Sequence, residues 1–519
     1  MSKIITSANQ QNDALFVLIK SLTKSEKRQF NLYVGRLGGN IDAKFFSLFK
    51  FLEKLKIYDE KVIIGSGIVS KQQLSNLKAH LYKQILISLR LNPAHKNVRI
   101  QIREQLDFAT VLYQKGLYKQ SLKLLEKAKN MALDNEEKNI AYEIVELEKV
   151  IETQYITRSL SNRADQLSIQ AKELSQQNVI ASKLSNLSLQ LYSHLLQNGY
   201  VKNQKEVQFV QKYFNDRMPK YDFQTLGFRE KLWLYKAHLW YSFLIQDFLL
   251  SYKYASKCVA LFNSAKLINI HPVFYLKSKN YLLEASFLVH KTSTFKAELT
   301  AFETEIENKE IPLNTNTELL IFMYLYSNKL HLHFLEGSFE EGEYLVDIIN
   351  DKIEKYKNRL DNHYIVLLHY KIACLYFGMG KNKLCIAYLQ KIIRSKNLSS
   401  AEDLQCFARI LNLIAHYECG LDYDLERQFV DTYKFLLKME NLQEVQKVFL
   451  TSIRDLSDVF PHEIKNEFKK IHKKLKTFEN HPYEKRAFLY LDILSWLESK
   501  IQNKPISTII KEKANLFTK

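Results

Sequence analysis

Residues 109–128 read ATVLYQKGLYKQSLKLLEKA, and their reading decides the fold. After the turn residue Gly116 come an aromatic two places on (Tyr118), a small residue five places on (Ser121), and apolar residues nine and twelve places on (Leu125, Ala128). The same phrase starts at Gln246 (Phe248, Ser251, Ala255, Cys258) and at Gly337 (Phe339, Gly342, Val346, Ile349). A fourth copy starts at Gly380, with Asn382 in the aromatic place, then Cys385, Leu389 and Ile392. A phrase of this kind builds helix pairs stacked on one another, and such stacks make surfaces rather than reaction centres. Weaker copies at Ser159 (Ala164, Ser168, Ala171), Gly199, Lys291 and Gly420 complete a series whose steps run from 40 to 47 residues. The gap between Gly116 and Gly199 is its least regular part.

Composition supports an all-α chain. Gly and Pro number 13 and 7 in 519 residues, and strand-rich folds need such turn residues far more often. The prolines (93, 219, 272, 312, 461, 482 and 505) fall between apolar-periodic segments, where helices start and stop. Five cysteines, Cys258, Cys374, Cys385, Cys406 and Cys419, lie in apolar stretches with no Cys-x-x-Cys pair, and are read as small packing residues. The N-terminus lacks a charged start followed by an apolar core, and no stretch approaches ~20 uncharged apolar residues. A reduced, cytoplasmic protein without a spanning helix is the expectation.

The net charge is +19, and most of it sits at the ends. Residues 1–104 carry +11 and residues 461–519 carry +6, which leaves +2 for the middle. Basic ends suit an acidic protein, a nucleic-acid backbone or an anionic lipid surface, although lysine also serves solubility alone. Three segments follow: a basic N-terminal helical domain over 1–99, the repeat array over 100–440, and a basic C-terminal helical cap over 441–519. In the first, Thr23 and Glu26 form a capping box, and Ser70 with Gln73 starts a long helix. Val62-Ile63-Ile64 reads as a short strand or an extended link. The order helix, helix, strand, helix has the outline of a winged-helix DNA module, but a plain helical cap is preferred.

The phrase resembles the tetratricopeptide repeat, in which a turn glycine and small residues let two antiparallel helices approach closely. Ala109, Ser121 and Ala128 match that pattern in one copy, and Ala373, Cys385 and Ile392 in another. The period departs from the family's ~34 residues, so helices or connections are longer here. The chain is also similar to uncharacterised bacterial proteins of this size with a tetratricopeptide-like body. The resemblance implies a solenoid whose first helices line a concave face. On that face it places Tyr113, Trp233, Lys236, Trp240, Phe243, Phe334, Tyr370 and Phe377. Aromatic residues there suit a partner helix or peptide, because they bury large area at low entropy cost. A register shift of one residue would place Tyr113, Phe243, Phe334 and Phe377 in the core instead.

Two basic patches stand out, Arg90, Lys96, Arg99 and Arg103 at the head of the array, and Lys469, Lys470, Lys473 and Lys474 on a C-terminal amphipathic helix. They fit phosphate contact without sequence readout, or a solvated helix face. Catalysis has little support. Gly378-Met379-Gly380-Lys381 lacks the first glycine of a phosphate loop and has Asn382 in place of Ser/Thr. His331 and His333 are two apart, about 200° around a helix, too far to chelate one metal. No cofactor is expected. The leading expectation is a non-enzymatic scaffold or adaptor with a protein partner, and the alternative is a nucleic-acid-associated factor acting through its basic ends.

Overall fold

The computed structural model describes residues 13–36, 44–92, 97–154, 162–394, 402–420, 422–436, 444–455, 463–484, 488 and 492–517. Among them lie 25 α-helices and two short 3-10 turns, with no strand. Packing divides the chain into two compact units, Met1–Leu174 and Ser175–Lys519.

In the first unit, α1 (Ala14–Ser21), α2 (Lys24–Arg36), α3 (Lys44–Lys54), α4 (Glu60–Gly65) and α5 (Lys71–Arg90) enclose one core. Phe30, Phe49, Leu52, Ile63 and Leu81 fill it with at most 1% exposure. The capping box at the head of α2 is formed: the Thr23 N–H donates to Glu26 Oε2 (2.7 Å) and the Glu26 N–H to Thr23 Oγ1 (3.2 Å). Ser70 caps α5 without a side-chain bond. Val62–Ile64 is helical, which corrects the strand or link read from its β-branched residues. Asp59 accepts from the Lys61 N–H (2.8 Å) and Ile63 is wholly buried, so cap and burial override propensity.

A second core in this unit gathers α6 (Val98–Gln114), α7 (Tyr118–Asp134), α8 (Lys138–Glu152) and the start of α9 (Arg163–Asn198). Ser121 is the close-approach residue of the α6–α7 pair, its hydroxyl donating to the Ala109 carbonyl at 2.7 Å.

The second unit holds the rest of α9, then α10 (Gln204–Arg217), α11 (Phe228–Leu244), α12 (Phe248–Ala260), α13 (Ala265–Ile270), α14 (Pro272–Leu288) and α15 (Thr292–Glu307). It continues with α16 (Thr315–Glu336), α17 (Tyr344–Tyr356), α18 (Asn362–Gly378), α19 (Asn382–Ile393), α20 (Glu402–Glu418) and α21 (Asp422–Leu436). The last helices are α22 (Glu444–Asp455), α23 (Ile464–Lys476), α24 (Ile493–Gln502) and α25 (Ile506–Phe517). From α14 to α20, helices pack on their sequence neighbours, and α14 on α16, α16 on α18 and α18 on α20 as well, consistent with a helical repeat.

One turn recurs. Gly116, Gln246, His290 and Gly380 all have positive φ (73°, 58°, 52° and 73°), and the next N–H reaches five residues back: Leu117 to Leu112, Asp247 to Ser242, Lys291 to Ser286, Lys381 to Tyr376. This is the Schellman cap, which satisfies the last helical carbonyls and reverses the chain. The following small and apolar residues of the phrase face inward: Ser251, Ala255, Cys258, Cys385, Leu389 and Ile392 have no exposure. Gly199 and Gly420 also have positive φ, whereas the copy read at Lys291 turns one residue earlier, at His290. Ser159 lies outside the described residues. The irregular gap holds α7, α8 and α9, the last a single helix of 36 residues.

The C-terminal helices join the large core of the second unit and return to earlier turns. Trp496, 3% exposed, packs edge-on against Phe468 (5.6 Å) and Tyr417 (6.3 Å), and its indole N–H donates to Glu418 Oε1 (2.7 Å). The Tyr483 carbonyl accepts from Gln246 Nε2 (3.2 Å), and its hydroxyl donates to Gln204 Oε1 (2.9 Å). α25 presses on the Gly337 turn, where an added Cβ would stand 2.9 Å from the Ser507 carbonyl oxygen.

Candidate functional site

Six residues before each left-handed turn residue, the first helix of the pair sets one side chain at a common level. These are Trp240 before Gln246 on α11, Glu284 before His290 on α14, His331 before Gly337 on α16, and Cys374 before Gly380 on α18. Side chains near this level touch from helix to helix and form a row. Tyr192 of α9 meets Trp240 at 4.7 Å, and Trp240 meets Tyr281 of α14 edge-on at 5.3 Å. His331 lies flat on Phe287 at 4.1 Å, and its buried Nδ1 has no hydrogen-bond partner. Asn328 Nδ2 donates to Asn280 Oδ1 (3.0 Å) and to the Tyr324 carbonyl (2.8 Å). The Lys371 ammonium of α18 donates to Ser327 Oγ on α16.

Enclosure sets the electrostatics of the row. α18 buries residues on every side (Val366, Leu368, Tyr370 to Ala373, and Leu375 to Gly378), so little water reaches the polar groups among them. Burial holds the His331 imidazole well below its usual range and pushes up the phenols of Tyr192, Tyr281 and Tyr364, the last to about 12. Burial also raises the Glu284 carboxyl, against the pull of the Lys371 charge, and lowers the Lys371 ammonium, against the pull of Glu284. Tyr281, Glu284 and His331 nevertheless keep some solvent contact. These groups are thus desolvated by the packing around them while keeping part of their surface exposed.

The residues expected on a concave face divide. Trp233 and Trp240 are half-buried and belong to this region, and the Lys236 ammonium sits over the Trp233 ring at 4.5 Å and the Phe274 ring at 5.6 Å. Phe334 is half-buried beside His331 (6.1 Å). Phe243, Tyr370 and Phe377, at 2–7% exposure, have their rings packed into the core clusters, which corrects their expected role. The physical reason is angular. Positions three before the turn stand about 60° around the helix from those six before it, far enough to aim Phe243 and Phe377 into the packed interior. Tyr113 belongs to the first unit, where its hydroxyl accepts from Gln154 Nε2 (3.1 Å). Tyr192, Tyr281, Glu284, Tyr364 and Lys371 were missed by the sequence reading. Their signal is a polar residue inside an otherwise apolar helix, as Lys371 is in HYKIACLYF.

The first basic patch is neutralised in place. Arg90 pairs with Asp107 (3.1 Å), Arg99 with Glu137 (2.9 Å) and Arg103 with Glu143 (3.1 Å), while Lys96 lies outside the described residues. On α23, Phe468, Ile471 and Leu475 are buried, and Lys469, Lys470, Lys473 and Lys474 project into solvent. Of these, Lys470 pairs with Glu467 (2.5 Å). The glycines near Lys381 have structural explanations: a Cβ on Gly378 would stand 2.3 Å from the Phe339 ring, Gly380 takes the left-handed turn (φ 73°), and Lys381 itself pairs with Glu343 (2.6 Å). Among the described residues no group of three or more His, Cys, Asp or Glu is arranged to hold a metal, and no helix is long and apolar enough to cross a membrane. Compared with known proteins, the chain matches no protein-family model, no curated protein and no solved structure.

Proposed function

We propose that the protein is a non-enzymatic scaffold of tetratricopeptide-like helix pairs that holds a segment of a partner protein against the row on α11, α14, α16 and α18. The observation that carries this reading is the row itself. Trp240, Tyr281, Glu284 and His331 lie close to one level of consecutive first helices, desolvated but still open to water. Rigid rings there offer large buried area at low entropy cost. The recurrent left-handed turn with small buried residues after it supports the tetratricopeptide-like assignment.

The test compares the tagged protein with a Trp240→Ser/His331→Ala variant, both purified from the protein's own cells after nuclease treatment. A stoichiometric partner that accompanies the wild type and is lost from a variant of unchanged helicity supports the reading. Equal recovery by both would remove the row as the binding site.

One observation favours a second reading, nucleic-acid association. Lys469, Lys473 and Lys474 are exposed on α23 without a carboxylate ion pair among the described residues, unlike the arginines of the first patch.

A further inference from the structure

Five lysines among the described residues have less than a tenth of their surface exposed: Lys129, Lys138, Lys236, Lys279 and Lys371. A buried ammonium is costly unless a carboxylate compensates it. Lys129 meets Glu148 at 2.8 Å, Lys138 meets Glu136 at 3.7 Å, and Lys279 lies between Glu298 (3.1 Å) and Glu305 (3.2 Å). Lys236 and Lys371 are different. Lys236 rests on two aromatic rings, with Lys277 near enough to repel it and no carboxylate in contact. Lys371 is bonded to the Ser327 hydroxyl, and Glu284 acts on it only from beyond ion-pair distance. Both stand on helices of the row, and both lack the counter-charge that the other three have.

We propose that the missing counter-charges are brought by the ligand: the bound segment is an extended, acidic stretch of a partner protein whose internal Asp or Glu side chains seat on Lys236 and Lys371. This rests on the row being a partner site. The chain terminus of the partner plays no part, because each seat is one ammonium backed by apolar or hydroxyl groups rather than a cluster of donors. The helices α11, α14, α16 and α18 span three helix-to-helix steps, roughly 27 Å at ~9 Å each. About eight residues of extended chain, at ~3.3 Å each, cover that distance.

The experiment is selection of a random 16-residue displayed peptide library on the full-length protein, with counter-selection against Trp240→Ser. The expected result is enrichment of acidic residues about eight apart. A synthetic binder with an amidated C-terminus should lose at least tenfold in affinity when its Asp/Glu become Asn/Gln. That loss should shrink in the Lys236→Met/Lys371→Met variant, which keeps the apolar stems. The peptide-side changes, measured on wild-type protein, hold whether or not that variant folds. Row-dependent peptides without acidic enrichment, or indifferent to the amide change, would overturn the acidic assignment and leave the row as a peptide site. No row-dependent peptide at all would overturn both. Binding of a (dT)15 oligonucleotide that is lost in Lys371→Met would overturn the acidic segment in favour of phosphates.

Discussion

Gly337 and Gly380 share a left-handed conformation, with φ of 67° and 73°, but not an environment. Nothing stands within 4 Å of a Cβ at Gly380, whereas at Gly337 the Ser507 carbonyl lies 2.9 Å away and the Lys511 N–H 3.1 Å. Gly380→Ala should therefore cost about 1 kcal/mol, the conformational penalty alone. Gly337→Ala should cost more, since α25 must also shift, and thermal melts of the two variants check this. Equal losses would mean that α25 is not held against the turn. A second prediction concerns His238, His271 and His369, each held down to about 4 by burial first and by a nearby cation second (Lys257, Arg229 and Lys391). Between pH 6.5 and 4 the unfolded chain takes up protons that the folded chain refuses. Stability present at neutral pH is thus lost as pH falls through that window. His238→Phe keeps the stack on Tyr254 (4.4 Å) and should flatten the fall in Tm between pH 7 and 4.5. An unchanged slope would assign the loss to other groups.

At the scale of the element, the second helices of the pairs were the most legible. Ser121, Leu125 and Ala128, or Cys385, Leu389 and Ile392, are inward-facing because helical spacing puts them on one side and their size permits close approach. First helices were harder to read, because a helix such as α18 is apolar on every side and its periodicity points nowhere. That is why Phe243 and Phe377 were assigned to a groove and Glu284 and Lys371 overlooked. Amphipathic α23 was readable in full, with its Phe468, Ile471 and Leu475 stripe buried and its lysines outside. Replacing Lys469, Lys473 and Lys474 by Glu should leave the helix folded, since all three are exposed. If the nucleic-acid reading holds, wild-type affinity for (dT)15 falls steeply with salt and vanishes in this variant. Salt-insensitive or unaltered binding would leave α23 as a capping helix only.

For the second unit as a whole, the C-terminal return is the feature no local pattern announced. Tyr483 meets Gln204 and Gln246, and α25 meets Gly337, across separations of well over a hundred residues. Trp496→Ala should cost about 3–5 kcal/mol, as expected for removal of a buried aromatic residue. It should also raise amide exchange at the Gln246 and Gly337 turns, and unchanged protection there would show that the return does not hold them. Taken alone, the sequence determined that the chain is helical, where the turns at Gly116, Gln246, Gly337 and Gly380 fall, and which small residues lie at the helix crossings. These follow from local rules of backbone conformation and side-chain volume. The like turns at Glu136, Lys309 and Asn503 emerged only from the structure. Tertiary structure alone decided which face of the enclosed helices meets solvent, which buried lysines found carboxylates, and where the C-terminal helices settle. Those outcomes depend on angles of tens of degrees and on partners distant in sequence, which a local pattern does not encode.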